Sequence, residues 1–465
     1  MKAVFVGGGA IRLLGILRGA LAERGMFDDG EINLYDLNPS RAEALGRMVM
    51  KTPEYSATQN CKITWGTTLE DALEGADVVG VILMAGSREN FALGNWASDK
   101  HGFMTSDNVS PNGAFLALKG GPILLDIARK METICPNAWL IDFANPVAVL
   151  SAAVNHYTKI KAMGVCAGYM NHHWDLHRIL AGEDLPNTAY DVDVAGINHL
   201  SFIIRGSLQG RDLFTLLDER LAKPWTMPEF QPWRTEASVQ SIKHSVTTIM
   251  RAYRELGVVI FSTEGDGLSH LYYDEAVAHL PSKPTVTREQ VIAQERGGQQ
   301  ERIAYDLKFR ALLDQDLDDE YWKVDFTKCQ ESRREEEDIF VRIMKGIAGI
   351  AEMKIATSRP NAGAVAGFGD RTVLEYTQYL YKDQIRPAAD LFVPDVVHGL
   401  IDSLAVHQTM LADAIAQDDP RLLAHALLAY PEHPYSQALR SLNKDLAEIN
   451  AEELTPALRN VVNYL

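Results

Sequence analysis

The sequence of 465 residues lacks paired cysteines. Its four cysteines form no Cys-x-x-Cys pair and follow no spacing typical of a disulfide framework. Such usage is typical of free thiols in a reducing compartment. The four are Cys61, Cys135, Cys166 and Cys329.

Positive charge and long apolar runs are also scarce. A net charge of −17 argues against nucleic acid or an anionic membrane surface as a partner, although a local arginine can still bind a small anion. No apolar run reaches the roughly 18 residues of a membrane-spanning helix, and the first residues enter a strand without a signal-peptide pattern. We therefore expect a cytoplasmic protein with a small-molecule substrate and no nucleic-acid or membrane partner.

Hydrophobic patterning in the first half of the chain predicts an α/β fold. Short β-branched runs such as KAVFVGG, EINLYDLN, ADVVGVILMA and NAWLIDFANPV alternate with helical patterns, among them GAFLALKGGPILLDIARKMETIC. This alternation indicates βαβ units and a Rossmann-like parallel sheet that is buried on both faces.

The pattern becomes helix-rich after about residue 195. Stretches such as RREEEDIFVRIMKGIAGIAEMKI and PDVVHGLIDSLAVHQTMLADAIAQDD predict amphipathic helices, and their charge runs predict solvated faces. We therefore expect two domains. Residues 1–195 would form a nucleotide-binding domain, and residues 196–465 a mixed α+β, helix-rich domain for substrate, metal and subunit contacts.

A glycine turn follows the first predicted strand. Three successive glycines there let the backbone turn tightly and let a pyrophosphate approach the N-terminus of a helix. Asp36 ends the second strand, where its carboxylate can accept both ribose hydroxyls of NAD and would repel the extra phosphate of NADP. Alternatively, Asp36 only caps the helix that begins at Pro39. The predicted NAD contacts are Gly7, Gly8, Gly9, Ile11, Asp36, Asn38 and Arg41.

A thiol and an imidazole form a candidate metal site. Cys166 and His199 are a soft pair of ligands that would leave positions for substrate oxygens, although their spacing alone also fits two packed residues. Asn145 precedes Pro146 at the end of a predicted strand, where a carboxamide can hold a substrate hydroxyl or simply form a turn.

The stretch TEGDGLSHLYYDE brings His270, Tyr272 and Tyr273 together in sequence. A tyrosine acts as a general base only when its pKa falls well below about 10, for instance beside a cation. Surface aromatic residues in a loop are the alternative interpretation.

Read in order, several motifs resemble those of glycoside hydrolase family 4, the NAD- and metal-dependent glycosidases. The segment from HGFMTSDNVSPNG to WLIDFANPV is similar to the family's stretch from a His-Gly pair to a Thr-Asn-Pro. GVCAG and GINHL occupy the places of its Gly-Leu-Cys and Gly-Leu-Asn-His motifs, and STEGDGLSHLYYDE and SRPNAGAVAGF resemble later segments. The resemblance covers most of the chain and is densest between residues 100 and 202.

The resemblance implies a redox mechanism of glycoside hydrolysis. NAD+ accepts hydride from C3 of the sugar, a metal held by Cys166 and His199 polarises the C2 and C3 oxygens, and Tyr273 or Tyr272 removes the C2 proton. The group at C1 is then eliminated, water adds and hydride returns, so that NAD is recycled and the usual pair of carboxylates is not needed. The family uses Mn2+ and forms homodimers or homotetramers.

Departures from the family pattern mark a divergent member. Ala167 stands where many members have an acid for the leaving group, so that acid would be missing or would come from His172, His173 or Asp107. Asp107 replaces a family glutamate, and Arg88 is the candidate contact for an anion or a hydroxyl. The resemblance assigns Tyr273, Tyr272 and Asp107 as catalytic residues; Asn145, Arg88, His172 and His270 as substrate contacts; and Cys166 and His199 as metal ligands.

Two rival functions use the same nucleotide site. An NAD-dependent hydroxyacid or polyol dehydrogenase would accumulate NADH and need no metal. A non-catalytic NAD-sensing protein would tolerate the loss of Cys166. The ordered presence of FANP, GVC, GINH and the tyrosine cluster favours the glycosidase over both.

Overall fold

A mixed β-sheet runs through the computed structural model. Thirteen strands of the described part of the chain join this sheet. The described residues are 1–166, 176, 179–180, 190–224, 236–261, 267, 270–272, 285–318, 321–322 and 338–465.

The first six strands form the parallel half of the sheet in the order β3-β2-β1-β4-β5-β6. Their β-branched residues are buried on both faces, as the four residues of β4 illustrate. The strands are β1 (Lys2–Val6), β2 (Glu31–Tyr35), β3 (Lys62–Trp65), β4 (Val78–Val81), β5 (Trp139–Asp142) and β6 (Lys161–Gly164). The prediction of a Rossmann-like parallel sheet is confirmed.

Helices connect these strands, and their apolar residues face the sheet. In the first helix the buried residues Leu13, Ile16, Leu17 and Ala20 recur at the spacing of one helical face. The long predicted helix before β5 is confirmed, and the Ser110 side chain caps it by accepting from the Gly113 N–H. The helices are α1 (Leu13–Ala22), α2 (Pro39–Val49), α3 (Pro53–Ala57), α4 (Leu69–Leu73), α5 (Arg88–His101), α6 (Pro111–Ile134) and α7 (Val147–Tyr157).

The second half of the chain extends the same sheet with antiparallel strands. From β6 the order continues β11-β12-β7-β8-β10, while β13 pairs with β12 and β9 with β8. These strands are β7 (Tyr190–Ile197), β8 (Leu200–Leu208), β9 (Arg211–Asp212), β10 (Val259–Ile260), β11 (Met353–Pro360), β12 (Val373–Tyr381) and β13 (Gln384–Pro387). The fold class is confirmed, and the division into two domains at residue 195 stays a prediction.

The helix predicted from the stretch beginning at Arg333 is partly wrong. Its described part forms a helix only over Ile339–Ala348, which ends where Gly349 takes a left-handed conformation at φ 70°. The chain then enters β11, whose eight residues all pair with β12. Pairing with a long neighbouring strand therefore overrides local helical periodicity.

The C-terminal helices cover the helices of the parallel half. The predicted helix over Asp395–Gln417 is confirmed, and it packs on α6 and α7. The helices of this half are α8 (Leu213–Leu221), α9 (Glu236–Leu256), α10 (Arg288–Ala311), α11 (Ile339–Ala348), α12 (Asp395–Gln417), α13 (Pro420–Leu428) and α14 (Gln437–Ile449). Short 3-10 turns occur at Leu312–Asp314, Ala451–Glu453 and Leu458–Asn463. Among the described helices, none combines the length and apolarity that crossing a membrane requires.

Candidate active site

The predicted site residues follow strands that end at one edge of the sheet. The glycine turn follows β1 and Asp36 follows β2, while Asn145 and Cys166 follow β5 and β6. Because parallel strands point their carboxyl ends the same way, these residues share the edge at which open α/β sheets bind ligands.

The glycine turn is packed tightly against its neighbours. The N–H groups of Gly7 and Gly8 both donate to the Tyr35 carbonyl, at 3.0 and 2.8 Å. Gly7 has φ 88°, and a Cβ there would lie 1.9 Å from the Ile82 carbonyl oxygen. Only glycine therefore satisfies both the backbone conformation and the contact with the residue after β4.

Asp36 ties this turn to the second strand. Its Oδ2 accepts from the Gly9 N–H at 2.9 Å, and its Oδ1 accepts from the Asn38 N–H at 2.8 Å. Asn38, not Asp36, occupies the N-cap position of α2. The alternative role of Asp36 as a simple helix cap therefore does not describe its contacts.

The other predicted NAD contacts surround the turn. Ile11 is half-buried against the core, the Asn38 side chain accepts from Ser40, and the Arg41 Nε lies 3.8 Å from Asp306. Arg12 occupies the place of the third motif glycine and stacks its guanidinium 4.1 Å from the centre of the Phe143 ring.

Two exposed apolar side chains beside this turn were missed from the sequence. Leu37 follows Asp36 and is 92% exposed, while Met84 follows β4 and is 39% exposed. Strands β2 and β4 flank β1, so the segments that carry these two residues follow the strands on either side of the glycine turn. Exposed apolar side chains suit the flat face of a nucleotide base, but nothing in the hydrophobic pattern distinguishes them from core residues.

Cys166 and His199 come together as predicted from the resemblance. The Cys166 Sγ lies 3.7 Å from the His199 Nε2. His199 occupies the tight turn between β7 and β8 with φ 70°, and its carbonyl is so close to Gly267 that a Cβ there would lie 1.7 Å away. The backbone that carries the imidazole therefore packs closely against Gly267.

Asn108 orients the imidazole and was not identified from the sequence. Its Oδ1 accepts from the Val147 N–H at 3.0 Å, which turns its Nδ2 toward the His199 Nε2 at 3.1 Å. Because Nδ2 can only donate, Nε2 carries its lone pair and the ring proton lies on Nδ1. A neutral imidazole is the form that ligates a metal, and a metal would take the Nε2 lone pair in place of the Asn108 N–H.

Asp107 and Asn145, predicted separately as an acid and a substrate contact, are hydrogen-bonded to each other. The Asn145 Nδ2 donates to the Asp107 Oδ2 at 2.6 Å. Asp107 precedes Asn108 in the loop between α5 and α6, so one loop positions both Asn145 and His199.

A buried carboxyl supports the turn that carries Asn145. Asp142 ends β5, is 1% exposed and accepts from the Ala144 N–H at 3.0 Å. Burial raises the pKa of Asp142 well above its ordinary value, and the bond from Ala144 offsets this only in part.

The other described residues that were predicted for the site, Arg88, His270 and Tyr272, have different surroundings. Arg88 is exposed at the start of α5. His270 directs Nε2 to the Val109 carbonyl at 3.1 Å and Nδ1 to Glu432 Oε1 at 3.3 Å. The Tyr272 hydroxyl is buried and the Arg251 guanidinium lies 4.1 Å from its ring centre. His172, His173 and Tyr273 lie outside the described residues.

The donor set suits a metal that completes its coordination with substrate. In the described ranges no group of three or more His, Cys, Asp or Glu side chains is placed to hold an ion. A thiolate and a neutral imidazole would supply two ligands and leave positions open, as in catalytic rather than structural sites. The residues present therefore fit a catalytic divalent metal.

Known proteins match this chain over most of its length. A model of family 4 glycosyl hydrolases matches residues 2–181, and a model of the C-terminal domain of that family matches residues 194–432. An α-galacturonidase from Thermoanaerobacter italicus is 24% identical over 476 aligned positions, which cover 96% of this chain and 95% of that protein.

Solved structures share the fold. A 6-phospho-α-glucosidase from gut microorganisms, in complex with NAD and Mn2+, has a TM-score of 0.76 and 16% identity, with 97% of this chain and 98% of that chain covered. A 6-phospho-β-glucosidase from Thermotoga maritima, with NAD and glucose-6-phosphate, has a TM-score of 0.73 and 17% identity, with coverage of 98% and 100%. At these identities the likeness establishes the architecture.

Proposed function

Because this chain belongs to glycosyl hydrolase family 4 and is therefore a glycosidase, we propose that it cleaves glycosides by transient oxidation at C3 of the sugar. The observation that carries this proposal is the meeting of Cys166 and His199, 3.7 Å apart, at the sheet edge that also holds the glycine turn and Asp36. An ordinary pair of catalytic carboxylates is not required by this mechanism.

Two cofactors fit the residues at this edge. The glycine turn and Asp36 would hold NAD, with Leu37 and Met84 offering apolar surface to its base. Cys166 and His199 would hold a divalent metal such as Mn2+. When bound, NAD+ supplies a reversible hydride acceptor for C3, and the metal supplies a Lewis acid for the C2 and C3 oxygens.

The protein's own groups orient the sugar and move its protons. Asn145 gives its Nδ2 to Asp107, so its carboxamide oxygen is the end left to accept a substrate hydroxyl. Asp107 accepts from Asn145 and is the proposed acid for the leaving group, in place of the acid that Ala167 cannot provide. Arg88 and His172 stay proposed substrate contacts.

The proposed base for the C2 proton is Tyr273, with Tyr272 as the alternative. Tyr273 lies outside the described residues. Tyr272 is less suited to this role, because its hydroxyl is buried and the Arg251 guanidinium covers its ring. This favours Tyr273. A base must reach a proton of the substrate within hydrogen-bonding distance.

The identity of the sugar is open to a direct screen. A relative that aligns over nearly the whole of both chains is an α-galacturonidase, so an α-galacturonide is the first substrate to test. Nitrophenyl α- and β-glycosides that are neutral, uronic or 6-phosphorylated complete the panel. Each is assayed under reducing conditions with and without NAD+ and Mn2+.

The proposal expects aglycone release that needs both NAD+ and Mn2+, without stoichiometric NADH. In D2O the released sugar should carry deuterium at C2, because the proton removed there exchanges with solvent. Accumulation of NADH without aglycone release would instead establish the dehydrogenase. NAD binding with no turnover of any member of the panel would favour the sensing protein.

A further inference from the structure

Three separate segments of the chain meet at one carbonyl beside the proposed site. The Val109 oxygen accepts from the His270 Nε2 at 3.1 Å and from the Tyr430 hydroxyl at 3.0 Å. Val109 lies between α5 and α6, His270 precedes the tyrosine pair, and Tyr430 lies between α13 and α14. Two donors therefore use both lone pairs of a single backbone oxygen.

His270 joins two polar groups in this arrangement. Its Nε2 faces the Val109 carbonyl and its Nδ1 lies 3.3 Å from the Glu432 carboxyl. The His270 side chain is 1% exposed and that of Glu432 is 6% exposed, so the imidazole and the carboxyl form a buried pair.

Aromatic rings pack against this pair from one side. The Tyr430 ring lies 5.8 Å from the His270 ring and 5.4 Å from the His407 ring, both in edge contacts. Tyr430 is 1% exposed and also packs on Phe103. Such a buried polar pair specifies one geometry, because either partner left without the other would cost free energy.

His270 links two parts of the proposed site, namely the loop of Asp107 and Asn108 and the segment that carries the tyrosines. Val109 directly follows Asp107 and Asn108, which hold Asn145 and His199. His270 lies two residues before Tyr272 and three before Tyr273. The bond from His270 to Val109 therefore ties the described start of the tyrosine segment, residues 270–272, to the loop that orients His199.

We propose that His270, paired with Glu432, is a positioning residue that holds the tyrosine-bearing segment in register with the Asp107–Asn108 loop without touching the substrate. This revises the sequence-based assignment of His270 as a substrate contact. The inference rests on the proposed function, because it assigns the effect of His270 to removal of the C2 proton.

The test compares kcat, KM and isotope effects in the full-length protein. We expect His270→Gln to lower kcat by about 10- to 100-fold, because a displaced catalytic group slows the reaction by such factors. KM and the Kd values for NAD+ and Mn2+ should change by less than about twofold, since the groups that bind them are untouched. The kinetic isotope effect with C2-deuterated substrate should rise and that with C3-deuterated substrate should fall.

Further variants separate positioning from general destabilisation. Glu432→Gln keeps an acceptor and should lower kcat less than Glu432→Ala does. Tyr430→Phe keeps the His270–Glu432 pair and removes the hydroxyl that donates to Val109 and lies 3.4 Å from the His270 Nε2, so it should fold and lose less than about threefold in kcat. His433→Asn is the matched control: His433 neighbours Glu432 and packs on Phe103, its φ of 51° is tolerated by asparagine, and kcat should not change.

Each contrary outcome has a distinct meaning. A His270→Gln variant with raised KM and unchanged kcat would overturn the inference in favour of direct substrate contact. Unchanged isotope effects, with kcat falling only in parallel with Tm, would also overturn it. A wild-type protein that releases aglycone without C2 exchange would overturn the proposed function itself and the inference with it.

Discussion

The Cys166 sulfur and the His199 Nε2 lie 3.7 Å apart, although 33 residues separate them along the chain. Cys166 follows β6 and His199 lies between β7 and β8, strands that are separated in the sheet by β11 and β12. The return of later strands to the same sheet therefore assembles the pair, and Asn108 orients it.

Replacement of this thiol should weaken metal binding selectively. We expect Cys166→Ser to raise the Kd for Mn2+ by more than about 10-fold, since even loss of groups that support a ligand costs 10- to 100-fold. Isothermal titration of the protein with Mn2+ alone measures this without reliance on activity. Cys135→Ser, at a buried cysteine remote from the pair, should leave the Kd unchanged; equal losses in both variants would contradict the assignment.

Cys61 and Cys135 should react with alkylating reagents more slowly than an unperturbed thiol does. Burial raises the thiol pKa of both Cys61 and Cys135 to about 11 from a usual value of 9.0. At pH 8 their thiolate fraction, and hence their alkylation rate, should be about 100-fold lower than for an unperturbed thiol. Iodoacetamide labelling followed by peptide mass spectrometry measures each rate, with denatured protein as the reference. Equal native and denatured rates would show that these thiols are not buried.

Two glycines with similar backbone conformations should respond differently to substitution. Gly7→Ala places a methyl group 1.9 Å from the Ile82 oxygen, so we expect a loss of at least about 3 kcal/mol in unfolding free energy and no NAD binding. Gly66→Ala has a comparable φ of +75° with nothing within 4 Å, so only the left-handed strain of about 1 kcal/mol should appear. Urea unfolding and NAD titration measure both effects. Similar losses in the two variants would mean that the contact with Ile82 contributes nothing.

Asp36 should determine the affinity for NAD. Asp36→Asn removes the charge that accepts from Gly9 and that is proposed to bind the ribose, so NAD should bind about 10- to 100-fold more weakly. Fluorescence titration with NADH measures this Kd. Asp28→Asn is the matched control, because Asp28 also accepts from a backbone N–H, that of Gln59, away from the glycine turn. A similar Kd in all three proteins would remove Asp36 from the nucleotide site.

The stability of the fold should fall in mild acid through His407. Burial lowers the pKa of His407 from 6.5 to about 4, while its Nδ1 donates to the Ala426 carbonyl at 2.9 Å. Since the unfolded chain binds the proton more tightly, the stabilisation is present above pH 6.5 and is lost as the pH falls toward 4.

The variant His407→Asn keeps a donor for Ala426 but does not titrate. Between pH 6.5 and 5 it should therefore lose about 2 kcal/mol less unfolding free energy than the wild type, at about 1.4 kcal/mol per pH unit. Urea unfolding at the two pH values gives the difference. His425→Asn, at an exposed position on α13, should retain the wild-type dependence; a wild-type dependence in His407→Asn would refute the argument.

Sequence pattern by itself determined the parallel half of the fold and the identity of the chemical groups. Apolar strands followed by a glycine turn and an acid, as at Gly7 to Gly9 and Asp36, can be predicted from short stretches of sequence. Backbone conformation and strand ends depend mainly on neighbouring residues. The ordered motifs around Asn145, Cys166 and His199 likewise identified the family, which the family models confirm.

Only the tertiary structure decided how these groups are held. Asn108, Val109 and Glu432 carry no local signal, because their roles depend on bonds to His199 and His270 that cross 91, 161 and 162 positions of the chain respectively. The antiparallel strands of the second half, such as β11, also form because a partner strand satisfies their backbone hydrogen bonds. Composition and periodicity describe a residue and its neighbours, whereas a site depends on contacts that folding brings together.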